Sequence, residues 1–126
     1  MKVIINHSSM VPIYEQIVNQ IKKMIVNGEL NEYDVLPSVR LLSKELKISA
    51  LTVKKAYDFL EEEGFTSTIH GKGTYVKVQN AQLIYEEQKK ELENELERFV
   101  QKARQCGICK QEIKELLDIL LEEQND

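Results

Sequence analysis

Nowhere does this chain run apolar for more than a few residues, which excludes a membrane-spanning helix of about 20 apolar residues. The opening Met1-Lys2-Val3-Ile4-Ile5-Asn6 is short and soon polar, unlike a secretory leader. Both features point to a cytoplasmic chain with no membrane partner. Only two cysteines occur, Cys106 and Cys109, in a C-x-x-C spacing. A closed zinc site needs four ligands, and the two histidines, His7 and His70, lie far off in sequence. No βαβ pattern surrounds the pair, so a thioredoxin-like role lacks its context. The cysteines read as small, moderately apolar residues in a turn between helices. No metal, no cofactor and no catalytic nucleophile–base pair is expected, so the chain does not read as an enzyme.

Excess positive charge is also missing. Residues 1–79 carry 10 Lys and Arg against 9 Asp and Glu, a net of +1. Residues 80–126 carry 7 against 12, a net of −5. Charge therefore gives no support for nucleic-acid binding, although local clusters rather than sums set phosphate attraction. What is present is an ordinary foldable mixture, 42% hydrophobic and 30% charged, in 126 residues. That is enough for one domain and an appendage.

The stretch Leu36–Gly64 holds two short helical patterns joined around Lys47–Ser49, the spacing of a helix-turn-helix. Pro37 keeps the chain extended before the first, and Ser38 is placed to cap it. Leu42 and Leu46 point inward, and Arg40 lies in the exposed first turn. Free N–H groups there favour a phosphate; a surface salt bridge is the equal alternative. Ser49 is placed to cap the second helix, with Thr52 at its third position. Val53, Ala56, Tyr57 and Leu60 form the inward stripe at i, i+3, i+4 and i+7. Ala50, Leu51, Lys54 and Lys55 are left toward the outside. In a helix-turn-helix the start of the second helix meets base edges in the major groove. Ser49 and Thr52 hydroxyls, Lys54 and Lys55 suit bases or phosphate, and Ala50 and Leu51 suit thymine methyls. Simple capping and a solvated face are the plainer alternatives. Glu61, Glu62 and Glu63 repel phosphate and turn the far end away.

Gly64 closes that helix. Phe65, Ser67 and Ile69 alternate with Thr66 and Thr68 as one strand. Thr74, Val76 and Val78 alternate with Tyr75 and Lys77 as its return. The turn His70-Gly71-Lys72-Gly73 offers cheap positive φ at its glycines. Such a tip can lie on a backbone or enter the minor groove through His70, Gly71 and Lys72, or be only a turn. A helix-turn-helix followed by a hairpin is a winged helix. Before it, the periodicity of Ile13, Ile17, Val18, Ile21, Met24 and Ile25 predicts a helix over Val11–Asn27. Pro12 suits its first turn and Gly28 its stop. Glu15, Gln16, Asn19, Lys22 and Lys23 are assigned to its wet face. Glu29–Val35 is a connector, with a short strand near Asp34–Leu36 that could join the hairpin.

Asn80 is placed to cap a long helix with Leu92, Leu96, Phe99, Val100 and Ala103 on one face. Gly107 breaks it, and a second helix carries Ile113, Leu116, Leu117 and Leu120. Two helices of this size cannot bury both stripes on each other alone. A symmetric dimer formed through Leu92, Leu96, Phe99, Val100, Ile113, Leu116, Leu117 and Leu120 is expected. The fold class is therefore α+β, mostly helical. An N-terminal winged helix-turn-helix (1–79) precedes a C-terminal αα-hairpin for dimerisation (80–126).

The motifs Pro12-Ile13-Tyr14-Glu15-Gln16-Ile17, Leu36-Pro37-Ser38-Val39-Arg40, Thr52-Val53-Lys54-Lys55-Ala56-Tyr57, Leu60-Glu61-Glu62-Glu63-Gly64-Phe65 and His70-Gly71-Lys72-Gly73-Thr74-Tyr75-Val76 stand in one order. Together they resemble the GntR family of bacterial transcription regulators. The short tail resembles its YtrA-like subfamily. The resemblance implies a DNA-binding winged helix and a dimerising tail. It also implies that Arg40 contacts guanine or phosphate, that Ser49, Thr52 and Lys54 lie on the operator, and that the wing tip approaches the minor groove. Two departures stand out. Glu32-Tyr33 replaces the family's usual Pro-Gly, and Ala50-Leu51 replaces a more polar pair, which favours thymine-bearing sites.

The expected function is a homodimeric repressor on double-stranded DNA with an inverted-repeat operator. A small-molecule effector, identity unspecified, is left open. A winged-helix protein-interaction scaffold and a thiol- or metal-responsive regulator working through Cys106 and Cys109 are the alternatives.

Overall fold

The structure, a computed structural model, describes residues 1–77 and 80–123. Val78, expected in the returning strand, lies outside them. The order is α1 (Ile13–Val26), α2 (Val39–Leu46), α3 (Ala50–Glu62), β1 (Thr66–Ile69), β2 (Gly73–Val76), α4 (Ala81–Gln105) and α5 (Lys110–Glu123). The chain divides into two compact units, residues 1–87 and 88–126.

In the first unit α3 is the central element, packed on α1, α2 and β1. Its inward stripe Val53, Ala56, Tyr57 and Leu60 is buried as the spacing predicts. Ile17, Val18, Ile21 and Ile25 of α1 close the same core. Each such aliphatic side chain taken from water contributes roughly 1.5–3 kcal/mol. Leu42 and Leu36 seal it beside α2, and Phe65 and Val76 close it below the wing. Val3 is buried too, and Ile5 packs against the core. The extended N-terminal arm is clamped to α1 by two side-chain amides. Gln20 bonds the Ile4 N–H through Oε1 at 2.9 Å and the Ile4 carbonyl through Nε2 at 2.7 Å. Gln16 does the same to Asn6, at 2.9 and 3.0 Å.

Helix α1 begins after Pro12, which occupies the N-cap position, just ahead of the expected first turn. Gly28 follows the last turn at φ +82°, a left-handed stop. One residue of its expected wet face is buried instead. Lys22 is only 5% exposed. Its ammonium pairs with Glu63 at the end of α3 and with Glu87 of α4 at 3.3 Å. The Phe59 and Phe65 rings lie 5.8 and 5.3 Å from it. Two carboxylates and two aromatic faces replace the water that a lysine needs. Glu63 is therefore engaged here, not simply part of an acidic end.

The wing is a two-stranded antiparallel sheet with Thr66 opposite Val76 and Ile69 opposite Gly73. Thr74 and Val76 face inward. Thr66 faces inward as well, while Ile69 is exposed, so the first strand sits in the opposite phase to that of Phe65, Ser67 and Ile69. Phe65 fills the core just ahead of the strand. Near the expected short strand the connector makes an isolated bridge rather than a full strand: Val35 bridges Tyr75, and the Leu36 N–H donates to the Thr74 carbonyl at 2.8 Å.

Asn80 caps α4, its Oδ1 accepting the Leu83 N–H at 2.7 Å. Leu83 packs against the winged-helix core. In the second unit α4 and α5 form a helical hairpin turned at Gly107, whose φ is +80°. Apolar burial there is concentrated beside the turn, with Ala103 buried and Val100, Ile108 and Ile113 half-buried. Leu92, Leu96, Phe99, Leu116, Leu117 and Leu120 stay exposed.

Candidate nucleic-acid interface

The helix-turn-helix is held by its caps. Ser38 Oγ accepts the Leu41 N–H at 3.0 Å, and Ser49 Oγ accepts the Leu51 N–H at 3.1 Å. Each hydroxyl satisfies one orphan donor of a helix start, worth about 1 kcal/mol. Both serines are thus occupied in this chain by capping, the plainer of their two roles. Between the helices Lys47 takes φ +57°, which lets the chain turn sharply before Ile48. The Tyr57 hydroxyl donates to the Pro37 carbonyl at 2.7 Å, tying α3 to the entrance of α2. Burial, with Glu45 adding a smaller contribution, pushes the Tyr57 phenol well above its ordinary value, so it stays a donor.

The outward side of α3 is open. Ala50 is exposed and Leu51 is 78% exposed, with Thr52 half-buried. An apolar side chain that projects this far from a capped helix start makes no core contact that would hold it. Arg40 is exposed in the first turn of α2. Lys54 and Lys55 are exposed but engaged. Lys54 Nζ meets Asp58 Oδ2 at 2.8 Å, and Lys55 Nζ lies 4.0 Å over the Tyr14 ring. Tyr14 itself leans on Phe59, with centroids 6.4 Å apart. Asp58 was not singled out by sequence, and Tyr14 entered only as part of a motif, with no role at the interface. The i, i+4 spacing of Lys54 and Asp58 was a readable signal; the approach of α1 to α3 was not.

At the wing tip His70, Gly71 and Lys72 are exposed. The Lys72 N–H closes the turn on the Ile69 carbonyl at 2.9 Å. Gly71 and Gly73 take φ +82° and +97°, as the turn requires. Cys106 and Cys109 are free and exposed in the α4–α5 turn, and the Cys109 thiol donates to Glu112 Oε1 at 3.5 Å. Among the described residues no three His, Cys, Asp or Glu side chains gather as metal ligands. Among the same residues no helix is long and apolar enough to cross a membrane.

Residues 13–76 match the family described as bacterial regulatory proteins, gntR family. The HTH-type transcriptional repressor YtrA of Bacillus subtilis (strain 168) is 35% identical over 104 residues, covering 82% of this chain and 80% of that protein. The crystal structure of a transcriptional regulator from Oenococcus oeni superposes with a TM-score of 0.70 at 31% identity, covering 93% of this chain and 97% of that one. The crystal structure of AraR(DBD) in complex with operator ORX1 superposes with a TM-score of 0.54 at 25% identity, covering 60% of this chain and 95% of that one. With the winged helix, its capped and outward-facing α3 and these likenesses in hand, the chain belongs to the GntR family of bacterial regulatory proteins and is a DNA-binding transcription regulator of the YtrA-like type.

Proposed function

We propose that the protein is a homodimeric repressor, acting in the cytoplasm, that sets two α3 starts on an inverted-repeat operator. In each copy Ala50, Leu51 and Thr52 face base edges, with Leu51 against thymine methyls. Arg40 takes a guanine or phosphate, Lys54 and Lys55 approach the backbone, and His70, Gly71 and Lys72 reach the neighbouring minor groove. Ser38 and Ser49 support the site through their caps while their free lone pairs and hydroxyl protons face the duplex. Residues 1–79 form the DNA-binding domain, and residues 80–126 join two copies.

The observation that carries this reading is the uncovered leucine face of the tail. Leu92 is 64% exposed and Leu96 54%, and the α5 leucines are similar. A contiguous apolar face of this kind marks an association surface, and an isologous contact between two copies covers it with its own pattern. Two heads yoked in this way present two α3 helices, and half-sites one helical turn or a multiple apart follow from that symmetry.

Selection of bound duplexes from a random DNA pool, with sedimentation equilibrium on the same sample, tests both halves. A palindromic consensus and a dimer at micromolar concentration are expected. Arg40→Ala should weaken binding to that consensus by about 1–3 kcal/mol. An unenriched pool, or a monomer that binds single half-sites, would refute the proposal.

A further inference from the structure

Helix α3 turns Val53, Ala56, Tyr57 and Leu60 into the core, so the opposite face carries Leu51, Lys54, Lys55 and Asp58. Asp58 lies seven residues beyond Leu51, about 10 Å along the axis. That is where a helix leaving a groove passes the phosphates. Lys54 Nζ sits 2.8 Å from Asp58 Oδ2, and the two side chains are 63% and 60% exposed. As a stabiliser such a pair is weak. It is open to water, and the cation precedes the anion, the poorer order along a helix. Its electrostatic consequence is larger. It cancels one of the two lysine charges on the face that meets DNA, while Tyr14 holds the other against α1 at 4.0 Å. Local charge rather than the segment's sum sets phosphate attraction, and on this face Asp58 offsets one of only two cations.

We propose that Asp58 is a positioning residue that widens the margin between specific and non-specific DNA binding, by holding and neutralising Lys54. This rests on the reading of α3 as the groove helix. Non-specific binding depends almost wholly on phosphate neutralisation. Asp58 depresses it twice, by occupying Lys54 and by presenting a carboxylate to the backbone. Specific binding draws on fixed contacts at the start of α3, and a Lys54 pinned along the helix keeps one geometry beside them. Loss of the carboxylate frees Lys54 for any phosphate and removes that geometry.

The test measures affinity by fluorescence anisotropy on the full chain at 50, 100 and 200 mM salt. Two duplexes are used: one recovered from a random pool with the parent protein, and its scrambled counterpart. Asp58→Asn should bind the scrambled duplex several-fold tighter at 50 mM salt. Its salt dependence should steepen by about one phosphate contact, so that this gain shrinks about threefold between 50 and 200 mM. The ratio of specific to scrambled affinity should fall, Asp58→Glu should restore it, and Lys54→Ala added to Asp58→Asn should return the slope to the parent's. An unchanged ratio and slope in Asp58→Asn, or a slope change that persists without Lys54, would overturn the assignment. A parent that selects a sequence while Asp58→Asn matches it sinks this inference alone. A parent that favours no sequence sinks the groove-helix reading and this inference with it.

Discussion

Helices α1 and α5 each have 14 residues and one apolar stripe, and the two stripes meet different fates. In α1, Ile17, Val18, Ile21 and Ile25 are buried because α3 crosses them and the N-terminal arm closes over the side. In α5 no residue is buried, and Leu116, Leu117, Ile119, Leu120 and Leu121 are about half exposed. Periodicity shows that a face wants covering. It does not show what covers it. The first unit supplies its own cover, and the second asks for one from elsewhere.

The widest test of that contrast sets one residue from each unit side by side. Phe65 is fully buried, and Phe65→Ala should lower the urea unfolding free energy by about 3–5 kcal/mol at any protein concentration. Leu117 is 46% exposed, so Leu117→Ala should cost little in dilute solution. Where two copies associate, the same change should cost about 2–5 kcal/mol, and the parent Tm should rise with concentration. A Leu117→Ala penalty that is small and independent of concentration would leave the tail uncovered and break the contrast.

The Lys22 cluster sharpens it, since here the first unit encloses even a charge. The buried member is the lysine, whereas Glu63 and Glu87 keep side-chain exposures of 33% and 21%. Removing the lysine leaves carboxylates that can turn to water. Removing both carboxylates leaves an ammonium that cannot. The Glu63→Gln, Glu87→Gln double variant should therefore lose about 3 kcal/mol, and Lys22→Met distinctly less, in urea denaturation at pH 7. Equal losses would show that Lys22 reaches water by another path.

These two regions also divide what could be read from sequence. The α3 stripe, the caps at Ser38, Ser49 and Asn80, and the glycine stops at Gly28 and Gly64 were all legible, because each depends on residues within a single helix or at its ends. Lys22 was not. On a helical wheel it belongs with the wet face, and only the arrival of Glu63 and Glu87 from distant chain makes its burial tolerable. The N-terminal arm was missed because Val3 and Ile5 are too few to show a period, and Gln16 and Gln20 look like ordinary surface amides. Which set of β1 residues faces the core was left open by the alternation alone. Phe65, the bulkiest residue there, enters the core before the strand begins, and Thr66 then takes the inward place. Within the interface, the exposed start of α3 was legible from its inward stripe. The engagement of Lys55 by Tyr14 depends on how α1 crosses α3.

Thr66 marks where the closure of the first unit is incomplete. Its side chain is fully buried, and its Oγ1 has no hydrogen-bond partner among the described residues. A buried hydroxyl left unpaired costs roughly 1–3 kcal/mol. Thr66→Val keeps the shape and the β-branch and removes the orphan oxygen. A gain of about 1 kcal/mol in unfolding free energy is expected. A loss would mean that a water or backbone group satisfies the hydroxyl, and that the unit is more fully closed than it looks.

The smallest effect concerns Tyr57, whose hydroxyl is buried and does have a partner. Its bond to the Pro37 carbonyl keeps the entrance of α2 on α3, so Tyr57→Phe should cost about 0.5–1.5 kcal/mol at pH 7. Burial, with Glu45 second, raises the folded-state pKa above the ordinary value near 10. As pH rises past about 10, the unfolded phenol gives up its proton before the folded one does, and the unfolded state gains. This contribution is therefore complete below pH 10 and lost progressively above it. Phenylalanine has no proton to lose and escapes the penalty. The stability gap between parent and Tyr57→Phe should be constant from pH 7 to 9, then close as pH climbs from 10 toward 11. A gap that stayed constant through pH 11 would mean that the phenol ionises alike in both states, and that α2 is held at its entrance by something other than a buried donor.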